Sequence, residues 1–347
     1  MCDEGYERRV PCAEAWCECH IVDGSGDEGS RQAKLAVFIT DSPFKNGRFH
    51  AIFVLAIRPI NRCLRRQLMK KSITVHTDYK QCLYSQDIEY HDYGNCKRHL
   101  QILFPFSPDL GAGKKWPLIL FIPGSAWHKQ ELYNDIPQYS MLAKRGFVVA
   151  VLEYRESDIA AFPAQIEDVR NALIYLHKVE DVFHIDMSKI FLMGNSSGGH
   201  IAMMSVLFNA HKLCEPLPKI TGIICESGST DILLCSRAPL PSWMKVRPSA
   251  MLLGVDHIEG NEGLAKQASC SMYITENITL PPILLIHSEN DPVVSVENSR
   301  MLHRDLVKSK HDVVYYEIEN CDAHGGAVFF DNSIIDIIHN FCSKSLA

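Results

Sequence analysis

Ser196 stands in Met193-Gly194-Asn195-Ser196-Ser197-Gly198-Gly199, a G-x-S-x-G arrangement between the apolar run Ile190–Met193 and the helical run Ile201–Leu207. A serine hydroxyl is a weak nucleophile until a base takes its proton. A sharp strand-to-helix turn lifts it to the sheet's carboxyl edge, where a base can reach it and the positive end of the next helix faces any oxyanion formed. The turn leaves no room for side chains two positions to either side, hence Gly194 and Gly198. The chemistry this serves is acyl transfer, although glycine-rich turns of this shape also hold phosphate. Ser197 lacks glycines at both offsets, so its expected part is to lend a backbone N–H to the oxyanion.

A second run of small residues, Pro123-Gly124-Ser125-Ala126-Trp127, follows the apolar stretch Leu118–Ile122. Small side chains let the N–H groups of Ser125 and Ala126 approach a developing negative charge. The run resembles the His-Gly-Gly-Gly-Trp loop of the small bacterial carboxylesterases related to hormone-sensitive lipase, feruloyl esterases and acetyl-xylan esterases. Aligned on Trp127, Pro123 takes the place of His, while Ser125 and Ala126 replace two glycines, which narrows the space for an acyl group. Phe162–Asp168 and Gly198-Gly199-His200 are similar to framework segments of the same esterases, and Asp168 and His200 are expected to be structural. The resemblance implies an α/β-hydrolase fold and a serine esterase acting on a small carboxylic ester, with acetylated or feruloylated sugars as candidate substrates. It implies no metal or organic cofactor.

In that fold the partners follow the nucleophile in the order acid, then histidine. The apolar run Ile283–Ile286 leads into His287-Ser288-Glu289-Asn290-Asp291-Pro292, which resembles the family's acid loop with Asp291 as the triad carboxylate. Glu289 and Asp322 are its rivals. The run Val313–Ile318 leads into Asn320-Cys321-Asp322-Ala323-His324-Gly325-Gly326, where His324 resembles the catalytic base. Any one of the 16 histidines is by default a surface residue, and only position after the last strand singles out His324. Activity is then expected to fall as pH drops through roughly 6 to 7. The oxyanion donors are read as Ser125, Ala126 and Ser197, and Trp127, Trp243 and Tyr133 as pocket residues.

Positioning these residues calls for a mostly parallel sheet with helices on both faces. Strands are expected at Ile88–Tyr90, His99–Phe104, Leu118–Ile122, Val148–Leu152, Ile190–Met193, Ile220–Cys225, Ile283–Ile286 and Val313–Ile318. The later ones are near-continuous apolar runs, suited to burial on both faces. Helices are expected from Pro163, with Ile166, Val169, Leu173 and Leu176 on one face, and over about 197–211, 297–308 and 332–342. Residues 230–268 carry Pro239, Pro241, Trp243 and Pro248 without a clear period, and are read as a small irregular cap.

The 347 residues, 46% apolar and 22% charged, suffice for a full core. A net charge of −6 supplies no field for nucleic acid or anionic lipid, so neither is an expected partner. No apolar stretch approaches the roughly 18 residues of a membrane span, and the acidic start is unlike a signal peptide. Thirteen cysteines, mostly single within apolar runs, read as reduced thiols in a cytoplasm. Nothing sets the oligomeric state.

Residues 1–68 lack this order, and 69–347 are read as the catalytic domain. Met69-Lys70-Lys71-Ser72 reads like an ordinary bacterial start, so a native protein beginning at Met69 is one expectation; a cap helix over Phe49–Met69 is the other. Cys12, Cys17, Cys19 and His20 fit no paired zinc-ligand spacing. Three rival functions remain: an arylformamidase on a similar frame, a serine peptidase resembling the prolyl oligopeptidase group, and a non-catalytic binding module. The peptidase lacks a propeller-sized N-terminal region here. The module would be marked by loss of a catalytic residue, and none is missing.

Overall fold

A computed structural model describes residues 72–74, 80–106, 113–239 and 246–346. By contacts the chain divides into Met1–Thr74 and Val75–Ala347, and the sheet and helices below belong to the second unit. The segment 1–68, with Cys12, Cys17, Cys19 and His20, lies outside the described residues, as does Trp243.

Eight strands form one sheet: β1 (Gln81–Asp92), β2 (Lys97–Phe106), β3 (Trp116–Ile122), β4 (Val148–Leu152), β5 (Ile185–Asn195), β6 (Ile220–Glu226), β7 (Ile283–Ser288) and β8 (Val313–Ile318). Their spatial order is β1-β2-β4-β3-β5-β6-β7-β8. The β1–β2 and β2–β4 pairs are antiparallel and all others parallel. Each sequence-expected strand lies in this sheet. The largest extension is β1, an edge strand whose exposed side chains carry no alternation to read, with irregular pairing between Ser85 and Ile88.

The helices are α1 (Ile136–Lys144), α2 (Ala164–Lys178), α3 (Ser197–Ala210), α4 (Ile232–Arg237), α5 (Pro248–Leu252), α6 (Glu262–Gln267), α7 (Glu297–Lys308) and α8 (Asn332–Ser345). On α2 the predicted face is the buried one: Ile166, Val169, Leu173 and Leu176 are at most 2% exposed. Each such aliphatic side chain contributes about 1.5–3 kcal/mol by leaving water. Sequence reading missed α1, a nine-residue helix with three buried side chains, Tyr139, Leu142 and Ala143. Gly146, at φ +97, sits just past its end, a conformation glycine adopts without strain. Among the described residues of 230–268, the expected irregular segment holds three helices of five or six residues, α4 to α6. Ile232, Ala250, Leu252 and Ala265 are fully buried there, so this segment packs into the core although no helical period is long enough to show in the sequence.

Two apolar layers sandwich the sheet. One gathers Leu118, Leu120, Leu192, Ile223 and Leu285 with α2 and α3; the other gathers Phe121, Met193, Ile224 and Ile286 with α1 and α8. Among the described residues no helix is long and apolar enough to cross a membrane, and the eight described cysteines are free thiols.

Candidate active site

The turn at Ser196 follows from steric necessity. A side chain on Gly198 would begin 1.9 Å from the carbonyl oxygen of Ile122, and one on Gly194 would begin 2.5 Å from the backbone of Gly198. Ser196 between them takes φ +53, a left-handed conformation that costs a non-glycine residue on the order of 1–3 kcal/mol. The surroundings enforce it: Ser196 N–H donates to Glu226 C=O at 2.8 Å, and Ser196 C=O accepts from Ser229 N–H at 3.1 Å and His200 N–H at 3.2 Å. Helix α3 begins at the next residue.

His324 bridges the group. Its Nε2 lies 3.0 Å from Ser196 Oγ and its Nδ1 2.7 Å from Asp291 Oδ2. With a carboxylate on Nδ1, that nitrogen carries the proton and Nε2 is left to accept from the serine hydroxyl. Asp291 Oδ1 accepts from Val293 N–H at 2.8 Å and Val294 N–H at 2.9 Å, while Oδ2 also lies 3.3 Å from His287 Nε2. Burial opposes ionisation of Asp291, but the hydrogen bonds from His287, His324 and Val294 outweigh it and hold the carboxyl well below the usual range. The rivals stand apart from the imidazole: Glu289 accepts from Asn320 N–H at 2.8 Å, and Asp322 is exposed.

The expected oxyanion loop, 123–127, is tied down more tightly than its residues foretold. Gly124 N–H donates to Asn195 Oδ1 at 2.6 Å and Ser125 N–H to Ser197 Oγ at 2.9 Å. Tyr154, fully buried after β4, places its hydroxyl 2.8 Å from Ser125 Oγ, 3.2 Å from Ser197 Oγ and 3.0 Å from Pro123 C=O. Ser125, expected as an oxyanion donor, therefore has its N–H committed to Ser197. The N–H groups of Ala126 and Ser197 have no acceptor among the described residues. Ala126 and Trp127 take φ +53 and +59, so the loop keeps a glycine-like backbone without the glycines.

Trp127, expected in the substrate pocket, is 3% exposed and spends its indole N–H on His200 Nδ1 at 3.2 Å. Tyr133, read the same way, is exposed and donates to Asp87 Oδ1 at 2.5 Å. His200 Nε2 donates in turn to Ala268 C=O at 2.7 Å, and burial pushes its pKa down to about 4. Asp168 is fully buried, accepting from Tyr93 Oη and from Arg155 N–H at 2.7 Å and Arg155 Nε at 2.8 Å. Sequence reasoning missed Tyr154, Asn195 and His287, whose signal is only that each sits at or beside a strand end.

The sheet order, the strained serine after β5 and the histidine after β8 define the α/β-hydrolase fold. The BD-FAE family profile matches residues 106–306, more than half of the chain, and the chain belongs to that family. Esterase LipC of Mycobacterium tuberculosis is 27% identical over 223 residues, 61% of this chain and 53% of that protein. The isoprenylcysteine alpha-carbonyl methylesterase ICME of Arabidopsis thaliana is 25% identical over 239 residues, 65% of this chain and 54% of that protein. The chain spans about half the length of the curated relatives it matches. Among solved structures, a truncated carbohydrate esterase from gut microbiota aligns with TM-score 0.65 at 22% identity, covering 78% of this chain and 98% of that one. Esterase B from Lactobacillus Rhamnosis aligns with TM-score 0.64 at 17% identity, covering 82% and 90%.

Proposed function

We propose that the protein is a serine carboxylesterase that hydrolyses a small carboxylic ester through an acyl-enzyme on Ser196. The observation that carries this is the His324 bridge, 3.0 Å to Ser196 Oγ and 2.7 Å to Asp291 Oδ2. His324 takes the Ser196 proton as Oγ attacks the ester carbonyl, and the oxyanion accepts from the N–H groups of Ala126 and Ser197. His324 then gives the proton to the leaving alcohol. Water attacks the acyl-enzyme by way of the same base and releases the acid. Asp291 keeps the imidazole in the required tautomer and stabilises its charged form. These steps call for no metal or organic cofactor.

The relatives' names favour esters over formamides or peptides. Among the structural neighbours are a carbohydrate esterase and an acetyl ester-xyloside bifunctional hydrolase, which makes an acetylated sugar our substrate of first choice. The test is a panel of nitrophenyl esters from acetate upward, acetylated xylo-oligosaccharide and N-formylkynurenine, run beside fluorophosphonate labelling. Wild type labels and cleaves short esters, while Ser196→Ala stays folded, does not label, and loses about a thousandfold or more in activity. Turnover of N-formylkynurenine above every ester would make the protein an arylformamidase.

A further inference from the structure

Glu226 ends β6. It pairs with Asn195 on β5 and with Ile286 on β7, two residues before Ser288. Residues two apart on a strand face the same way. Met193, Ile224 and Ile286 pack into the layer beneath α1 and α8, so Asn195, Glu226 and Ser288 continue that face at the carboxyl edge as a polar row. The row underlies all three loops of the candidate triad. Asn195 precedes Ser196 and holds Gly124 N–H; its Nδ2 lies 3.4 Å from where a side chain on Gly325, next to His324, would begin. Ser288 opens the loop that carries Asp291. Glu226 itself accepts Ser196 N–H at 2.8 Å through its main chain.

The Glu226 side chain is the anomaly. It is 3% exposed, and its Oε1 is buried with no hydrogen-bond partner, as is Ser288 Oγ. Burial alone pushes its pKa from the ordinary 4.5 up to about 8; no charged neighbour contributes. Its charge acts to raise Tyr139 of α1, which Asp135 also influences, and Cys225 on the opposite face of β6. None of the three brings a positive charge. An ionised carboxylate there would be buried and uncompensated, an arrangement proteins relieve by admitting water or moving backbone.

We propose that Glu226, as the neutral acid, is a positioning residue for the Ser196–His324–Asp291 group, and that its ionisation disengages that group at alkaline pH. Losing its proton to solvent draws the side chain toward water. Asn195 and Gly325 move with it, and the His324 contact to Ser196 lengthens. This rests on the hydrolytic reading of the three residues given above.

The experiment measures kcat and KM of the full chain on nitrophenyl acetate from pH 6 to 10, corrected for spontaneous hydrolysis. Wild type loses about tenfold in kcat for each pH unit above the Glu226 titration, with KM little changed. Glu226→Gln stays neutral at all pH, keeps kcat within about threefold of wild type at pH 7 and loses the alkaline decline. Glu226→Leu has no side-chain hydrogen bond to lose and no proton to release, so it too lacks the alkaline decline and melts no lower than wild type. A second readout follows from linkage. The folded chain holds a proton that the unfolded chain releases above 4.5, so stability present below 4.5 is lost as pH rises to about 8. The melting advantage of Glu226→Gln over wild type therefore widens across that window. An alkaline limb identical in wild type and Glu226→Gln overturns the proposal, as does an alkaline limb retained in Glu226→Leu. Absence of fluorophosphonate labelling in wild type at pH 7 overturns the hydrolytic reading instead, separately from Glu226.

Discussion

Ser125 N–H donates to Ser197 Oγ at 2.9 Å. Ser197, the residue after the candidate nucleophile, thereby holds the 123–127 loop with its side chain while its own N–H has no acceptor among the described residues. Two functions of Ser197 are separable by truncation. Ser197→Ala keeps the backbone donor but unpairs Ser125 N–H and removes a neighbour of the Tyr154 hydroxyl. We expect kcat on nitrophenyl acetate to fall by about tenfold, a loss of the size of one buried hydrogen bond, against about a thousandfold or more for Ser196→Ala. Equal losses in the two variants would refute the division of roles.

Replacing the candidate acids tests the other end of the bridge. Asp291→Asn leaves the loop shape but presents an amide to His324, which favours the wrong tautomer. A fall of about a thousandfold or more in kcat is expected. Glu289→Gln and Asp322→Asn should stay within a few fold, since neither carboxylate contacts His324. The linkage sign adds a check: Asp291 is held below its ordinary value, so it contributes stability above pH 3.8 that is lost as pH falls further. The melting deficit of Asp291→Asn should shrink on acidification below that point. A deficit that grows there would contradict the hydrogen-bonded carboxylate.

What the sequence made legible follows from burial. Strands β3 to β8 read as strands because most are apolar on both faces, and the serine turn because glycines are obligatory at 194 and 198. The edge strand β1 and the short helix α1 bury too few side chains for any period to show. Tyr154, Asn195, His287 and Glu226 were invisible for a different reason. Tyr154 and Asn195 act through side-chain partners 29 or more residues away, as with Tyr154 and Ser125 or Asn195 and Gly124. Glu226 acts through burial, and His287 acts through Asp291, Val294 and Ser299, nearby residues that only the turn after β7 brings onto its ring. Trp127 misled because an aromatic beside an oxyanion loop suits a pocket wall as well as a core, and only its bond to His200 decides.

Burial of His200 makes stability sensitive to acid. His200 is neutral in the fold, with its pKa depressed from 6.5 to about 4 by burial, whereas the unfolded chain protonates below 6.5. Stability is therefore complete above pH 6.5 and is lost as pH falls toward 4, by on the order of 3 kcal/mol from this residue. His200→Gln can still donate to Ala268 C=O but does not titrate. Melting curves from pH 7 to 4 should show a shallower acid decline in this variant than in wild type, and parallel declines would remove His200 as the cause.

Ala126 holds φ +53, a conformation that glycine adopts without the penalty of a Cβ, and its N–H, like that of Ser197, has no acceptor among the described residues. Ala126→Gly relieves the strain at the cost of a more flexible unfolded chain, and the balance is a gain of about 1 kcal/mol in stability, seen as a melting point about 2–4 °C higher. The N–H donor is unchanged, so acetate esters should be cleaved within a few fold of the wild-type rate. What changes is the methyl group beside the position an acyl chain must occupy if the N–H of Ala126 binds the oxyanion. Its removal should raise kcat/KM for butyrate relative to acetate by about tenfold, the worth of one or two methylenes admitted to an apolar pocket. An unchanged butyrate-to-acetate ratio would mean that the acyl chain leaves the oxyanion loop on another side, and that the side chains standing in place of glycines do not set the width of the pocket.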